Sequence, residues 1–252
     1  MKHTITILLS CLMSVSVFAA HTADEAFLAA NKAYNAGHYE QAAQQYEAIG
    51  ADGVESAALY YNLGDAYFRM GELGRSVLNF ERARRLNPGD KDIRENLEFV
   101  YSKTEDQIQP LPQFFVVRWW NAVNSLTSTH GWANVTLVAL LLACASVAVF
   151  FLSREYLWRK GSFVASVCFG VILVLAVANT ASAGHKATTR QEAVVTAPMV
   201  EVKSSPDRGS VDKFVLHEGT KVQISDHVDN WIRIKIADGN RGWVLSADLT
   251  TI

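Results

Sequence analysis

AALYYNLGDAYFRMGELGRSVLNFERARRLNPGD, residues 57–90, decides the fold of the first half of this chain. Tyr60, Leu63 and Tyr67 fall on one face of a helix, because side chains three and four residues apart stack on the same side. Gly71 breaks the chain. A second helix follows, with Ser76, Phe80 and Ala83 on its inner face and Pro88 ending it. Gly64 and Ala83 leave room for the two helices to cross closely. The stretch therefore reads as a pair of antiparallel helices that need neighbours to cover their apolar faces.

Tyr60, Leu63, Gly64, Tyr67, Gly71, Ser76, Phe80, Ala83 and Pro88 together closely resemble the tetratricopeptide pattern, with Ser76 where alanine is usual. The preceding segment fits more loosely. Phe27, Ala30 and Tyr34 match it, as do Gly37, Tyr39, Ala42 and Tyr46 if the turn is one residue short. Ile93, Leu97 and Tyr101 line one face of a capping helix expected over Lys91–Lys103. The resemblance implies peptide binding in the groove lined by the first helix of each repeat. That groove would take Leu28, Lys32 and Asn35 from the first repeat. Tyr61, Asn62, Asp65, Phe68 and Arg69 would come from the second, and Glu95 and Phe99 from the cap. Lys32 and Arg69 are too few for a basic clamp on terminal carboxylates. The alternative role of Tyr61 and Phe68 is packing against the next helix.

From Ala193 the apolar period changes to two. Val200 and Val202, Phe214 and Leu216, Val222 and Ile224, then Ile232, Ile234 and Ile236 alternate with polar residues, as half-buried strands do. Asp238-Gly239 favours a tight hairpin turn, Gly242-Trp243 opens the last full strand, and Ser246–Leu249 reads as a short helical turn. Five short strands in this space suggest a small barrel. The strings HEGTKV, the Trp231 strand and DGNRGW resemble a bacterial SH3-like domain over residues 193–252. By that resemblance the loop Ser204–Asp212 and Trp231 border the ligand surface, and Trp243 packs in the core. Trp231, at a strand start, has a structural role as its alternative.

Composition explains the middle of the chain. The 252 residues are 50% hydrophobic and only 19% charged, below the roughly 25% of an average soluble chain. The excess sits in three blocks. Lys2 and His3 before Ile5–Phe18, then Val17-Phe18-Ala19, have the form of a secretory signal peptide; an uncleaved anchor helix is the alternative. Trp132–Leu152 and Ser162–Ala183 carry no charge, and about 20 such residues cross a bilayer as a helix. Arg154, Arg159 and Lys160 in the connecting Ser153–Gly161 keep that loop cytoplasmic, so both polar parts face the periplasm. Ser162, Ser166 and Gly170 recur every four residues, a ridge that lets helices approach closely or simply the ordinary small-residue content of a span. Before the first span, Phe115, Trp119, Ala122 and Leu126 form an aromatic face suited to the bilayer surface or to packing under the repeats.

The expected organisation is a signal peptide over 1–19, repeats and cap over 20–109, and an amphipathic juxtamembrane segment over 110–131. Transmembrane helices over 132–152 and 162–183 flank a cytoplasmic loop over 153–161. A linker over 184–192 leads to the SH3-like domain over 193–252. The fold class is a multidomain membrane protein with α-helical repeats, a two-helix transmembrane hairpin and an all-β barrel.

Several function classes are excluded by residue content. A net charge of −2 gives no basic face for nucleic acid. Of the three cysteines, Cys11 lies in the signal and Cys144 and Cys168 in the spans, so the exported parts carry no disulfide. The seven histidines, at 3, 21, 38, 130, 185, 217 and 227, are scattered, and no HExxH, Walker A, GxSxG or GxGxxG string is present. The reading is a non-enzyme without catalytic residues, metal or cofactor. The whole arrangement, above all NLGDAYFRMGELGRSVLNFERARRLNPGDKDIRENL, resembles the BatE proteins of aerotolerance operons. That resemblance implies an adaptor in an inner-membrane envelope complex. Its partners would be membrane proteins with von Willebrand A domains and a MoxR-type ATPase system. The alternative is a cell-wall tether whose SH3-like domain holds peptidoglycan.

Overall fold

The computed structural model describes residues 24–189 and 191–252; the signal segment over 1–19 lies outside the described residues. The chain divides into two compact units. One holds the described residues through Leu86 with Asp90–Pro110 and Glu192–Ile252, and the other holds Asn87–Gly89 with Leu111–Gln191.

The first unit opens with antiparallel helices α1 (24–35), α2 (Tyr39–Ala51), α3 (Ala57–Met70), α4 (Leu73–Leu86) and α5 (Lys91–Tyr101). Local chemistry sets their ends. Ser56 caps α3 by accepting from the Leu59 amide, and Asp90 caps α5 by accepting from the amides of Asp92 and Ile93. Gly71 closes α3 in the left-handed conformation at φ 81°, and the amides of Gly71 and Glu72 return to the carbonyls of Phe68 and Tyr67. Leu59, Leu63 and Tyr67 of α3 are buried with Ala42, Ala43 and Tyr46 of α2 and with Ala30 and Ala33 of α1. The small residues let the helices close. The tetratricopeptide-like register is therefore the one the sequence periodicity implies.

After α5 the unit resumes with β1 (Glu192–Val195), β2 (Met199–Lys203), β3 (Asp212–His217), β4 (Lys221–Val228), β5 (Trp231–Lys235) and β6 (Arg241–Leu245). A 3₁₀ turn at Ser246–Asp248 and β7 (Leu249–Thr251) complete it. Every pairing is antiparallel, in the order β3-β2-β6-β5-β4-β1-β7. Register shifts at Val202/Lys203 and Ile224/Asp226 mark bulges, which sharpen the twist that a small barrel needs. Val200, Val202, Leu216, Val222, Ile232, Ile234 and Val244 point into one core.

Two sequence expectations are corrected here. The barrel has seven strands rather than five. The additional β1 shows no alternation because Ala193, Val194 and Val195 are all buried. Trp243 is not a core residue. On β6 the buried positions are Gly242 and Val244, so Trp243 faces the opposite side, half-buried beneath the Arg233 guanidinium at 6.0 Å.

The second unit contains α6 (Phe115–Asn124), α7 (Thr129–Leu152) and α8 (Tyr156–Thr189). Gly131–Leu152 and Tyr156–Ala181 are long and apolar enough to cross a membrane. The expected loop at 153–161 is mostly helix. Only residues 153–155 are non-helical, because nothing in Tyr156–Gly161 breaks the helix before it enters the apolar run. Likewise α8 runs through most of the segment read as a linker over 184–192. The hairpin closes through small and polar side chains. Ala139, Ser146, Ser162, Ala176 and Asn179 are buried, and Thr136 and Thr180 approach to 3.4 Å. Large apolar side chains such as Leu141, Phe151, Phe163 and Val174 point outward. On α6, Phe115 and Trp119 are exposed, as is Phe114 before it.

Candidate functional site

The barrel is packed against the second helix of the second repeat, and β1 is the element shared by both. Ala193 and Val195 belong to the barrel core, whereas Val194 is buried among Val77, Leu78, Phe80, Leu97 and Val100 of α4 and α5. One strand thus closes two cores, and full burial of a valine side chain contributes about 1.5–3 kcal/mol.

Polar contacts lock this junction. Glu81 on α4 has a side chain only 4% exposed, yet it is fully partnered. It accepts from Arg84 at 2.6 Å, from Lys221 at 3.0 Å and from the Tyr101 hydroxyl at 2.8 Å. Burial pushes the Glu81 carboxyl up, but Lys221 and Arg84 outweigh it and hold it below the ordinary range. Tyr101 is driven the other way, its phenol raised by burial and by Glu81. Lys221 also reaches Glu192 at 2.6 Å, tying β4 to β1.

The turn between β3 and β4, within HEGTKV, is the second fastening. Glu218 accepts from the Gly74 amide at 2.9 Å and so caps the first turn of α4 from the barrel. Asp106, just beyond α5, accepts from the His217 amide at 2.7 Å and the Thr220 hydroxyl at 2.6 Å, and meets His217 Nδ1 at 2.9 Å. Burial raises the Asp106 carboxyl, but these three hydrogen bonds prevail and lower it. The same Asp106 contact, aided by Glu105, raises the His217 imidazole. Gly219 sits at φ 86°, and a Cβ there would lie 2.6 Å from Thr104 Cγ2. Only glycine fits the turn at this approach. Arg82 and Arg85 complete the junction by donating to the carbonyls of Thr251 and Ile252.

The first-helix groove has a different character. Asn62 donates to Asn31 at 2.9 Å, and Asn31 also accepts from the Tyr46 hydroxyl at 2.5 Å. Asp65 accepts from the Tyr34 hydroxyl and lies 3.9 Å from Arg69. Burial and then Asp65 push the Tyr34 phenol up to about 12. The structure thus gathers Asn62, Asp65 and Arg69 with Asn31, which the sequence does not single out, and with Tyr34, which reads there as a repeat-pattern position. Tyr61 stacks edge-on against Phe80 and accepts from Asn96 at 2.9 Å, and Phe68 stacks against Phe99. Both aromatics are half-buried, so they combine inter-helix packing with an open edge. Leu28, Lys32 and Asn35 are exposed on α1.

On the barrel, Trp231 pairs with Leu245 and Trp243 with Arg233, on adjacent outward rungs of β5 and β6. Lys203, at the start of the Ser204–Asp212 loop, pairs with Trp243 rather than Trp231. Trp243 therefore stands between the loop and Trp231, a position that the alternation along Arg241–Leu245 encodes. Among the described residues, no three His, Cys, Asp or Glu side chains are grouped to hold a metal ion.

Known families match both modules. A tetratricopeptide repeat model matches residues 57–90, and a bacterial SH3 domain model matches residues 200–250. No curated protein matches the chain.

Proposed function

We propose that the chain is a membrane-anchored, non-enzymatic adaptor that gathers protein partners on the periplasmic side of the inner membrane. The observation that carries this reading is the fusion of a repeat array and an SH3-like barrel, two binding modules, into one compact unit in a chain with two span-length apolar helices. Lys32, Asn35, Tyr61, Asn62, Asp65, Phe68 and Arg69 form the peptide-facing side of the repeats. Trp231, with Trp243 beside it, forms that of the barrel. Arg154, Arg159 and Lys160 hold the hairpin tip in the cytoplasm. The resemblance to BatE proteins makes von Willebrand A-domain membrane proteins of a Bat/MoxR system the expected partners. Affinity capture of the intact chain from gently solubilised membranes should recover them. Recovery of none, under conditions that preserve another membrane complex, contradicts the proposal.

A second reading rests on the outward tryptophan rungs of β5 and β6, which suit a cell-wall ligand. The intact chain in detergent should then sediment with purified murein sacculi, and Trp231→Ala should lose this. Sedimentation equal to that of an unrelated membrane protein contradicts it.

A further inference from the structure

Helix α6, Phe115–Asn124, buries none of its residues. Phe114, Phe115 and Trp119 are 85%, 75% and 60% exposed, and Leu126 just beyond the helix is 69% exposed. Phe115, Trp119 and Ala122 share one side, being four and seven residues apart. Val117, Asn121 and Asn124 lie on the other, with Arg118 at the border between the two. An aromatic face left open in this way marks a surface that meets a partner or a membrane.

Its place in the chain decides which of these covers it. α6 belongs to the same compact unit as both span-length helices. Only residues 125–128 separate it from α7, and Ser128 caps α7 by accepting from the Gly131 amide at 3.3 Å. The Trp132 indole N–H, in the first turn of α7, donates to the Asn124 carbonyl at 3.3 Å and ties the end of α6 to the start of the span. The aromatic face therefore stands where the hydrocarbon ends, the level at which tryptophan rings settle in a bilayer. The 10 residues of α6 make a helix about 15 Å long, half of a hydrocarbon core of about 30 Å, so α6 does not cross. From Gln107 to Ser153 the only Asp, Glu, Lys or Arg is Arg118. No carboxylate in that stretch opposes approach to lipid phosphates, and a long cationic side chain at the border of an apolar face reaches them while its stem stays in the apolar layer.

We propose that α6 lies in the periplasmic interface of the bilayer, with Phe115 and Trp119 sunk at the top of the acyl chains and Arg118 at the lipid phosphates. The proposal rests on reading α7 and α8 as membrane spans, and it gives the chain a second attachment to the bilayer beside the hairpin. The occupant of the aromatic face is lipid rather than a protein partner or the underside of the repeats.

The test uses the full chain in nanodiscs of phosphatidylethanolamine and phosphatidylglycerol, with Cys11, Cys144 and Cys168 replaced by alanine. One nitroxide label at a time is placed on Phe115→Cys, Trp119→Cys, Val117→Cys or Leu141→Cys. Relaxation by oxygen, which concentrates in lipid, and by a water-soluble nickel chelate reports what each label meets. The oxygen-to-nickel ratio at Phe115 and Trp119 should exceed that at Val117 several-fold and place both labels about 5–10 Å into the headgroup boundary. The ratio at Leu141, midway along α7, should be higher still. Strong nickel relaxation at Phe115 and Trp119, with lipid values at Leu141, overturns the proposal and leaves the membrane anchor standing. Weak relaxation by both agents at Phe115 and Trp119 means that protein covers the face, and overturns it as well. Strong nickel relaxation at Leu141 overturns the anchor reading and the proposal together.

Discussion

The two faces of the helical array are built by opposite means. Along the first helices, Asn31, Tyr34, Asn62 and Asp65 bond one another and leave an open surface. Along α4, Val77 and Glu81, which meet Val194 and Lys221, are almost wholly buried, although α4 is the outer helix of its repeat. The difference is the barrel. A repeat helix with only solvent outside would carry polar, exposed residues there. Instead α4 buries a carboxylate that is stable only because Lys221, 140 positions along the chain, comes to meet it. The open face stays half-exposed, and the covered face makes one body of two modules. Leu63→Asp is the harshest test, because that side chain lies in the core beneath both faces. An unpaired charge there should cost more than about 4 kcal/mol and unfold the array. Retained helicity in the repeat–barrel unit would refute the register.

The covered face is broken selectively at Glu81. Glu81→Ala leaves Arg84 and the Tyr101 hydroxyl without their acceptor at a buried junction and Lys221 with Glu192 alone, and should destabilise the unit by about 3 kcal/mol. Amide exchange should then rise in β1 and at Gly74 while the α1–α3 amides hold. Uniform exchange across the unit would show that the two faces are not distinct. On the open face, Tyr34→Phe removes one hydrogen bond to Asp65 and should cost only about 1 kcal/mol, read as a shift in the denaturation midpoint.

How much of this was legible in the sequence follows from the range of each interaction. Tyr60, Leu63 and Tyr67 declare the α3 face because their period is local, and Ile232, Ile234 and Ile236 do the same for β5. Val194 could not be read so. A strand buried on both faces has no alternation, and its partners Val77 and Val100 lie on other elements far along the chain. Asp106 with His217 and Glu218 with Gly74 are also pairings across more than a hundred residues. HEGTKV marks the barrel family, but that its turn fastens α4 is a property of the docked unit. Trp243 lies outside the core, against the expectation from the resemblance, because the strand register sends Gly242 and Val244 there. Asn31 carries no signal in the sequence and Tyr34 reads there only as a repeat-pattern position, because their bonds to Asn62 and Asp65 run across helices.

The smallest effect expected is on pH dependence. His217 is raised above 6.5 by Asp106, so its contribution is complete below that value and is lost as pH rises through its folded pKa. Asp106 and Glu81 are lowered from 3.8 and 4.5, so theirs is present above those values and is lost as pH falls through the folded pKa values. The thermal midpoint of the repeat–barrel unit should therefore be highest in mildly acidic solution and decline slightly through neutrality. His217→Gln should flatten that alkaline limb, and a midpoint that climbs steadily from 6.5 upward would show that the Asp106 contact does not hold the turn.

The claim that the barrel and the repeats are fastened into one body is tested most directly by a double-mutant cycle on Glu81 and Lys221. Glu81→Gln, Lys221→Met and the double variant would be unfolded by denaturant in the full chain. The docked junction predicts a coupling energy of about 1.5 kcal/mol or more. Additive effects, with coupling within about 0.3 kcal/mol of zero, would mean that the two residues do not meet and that the modules are independent.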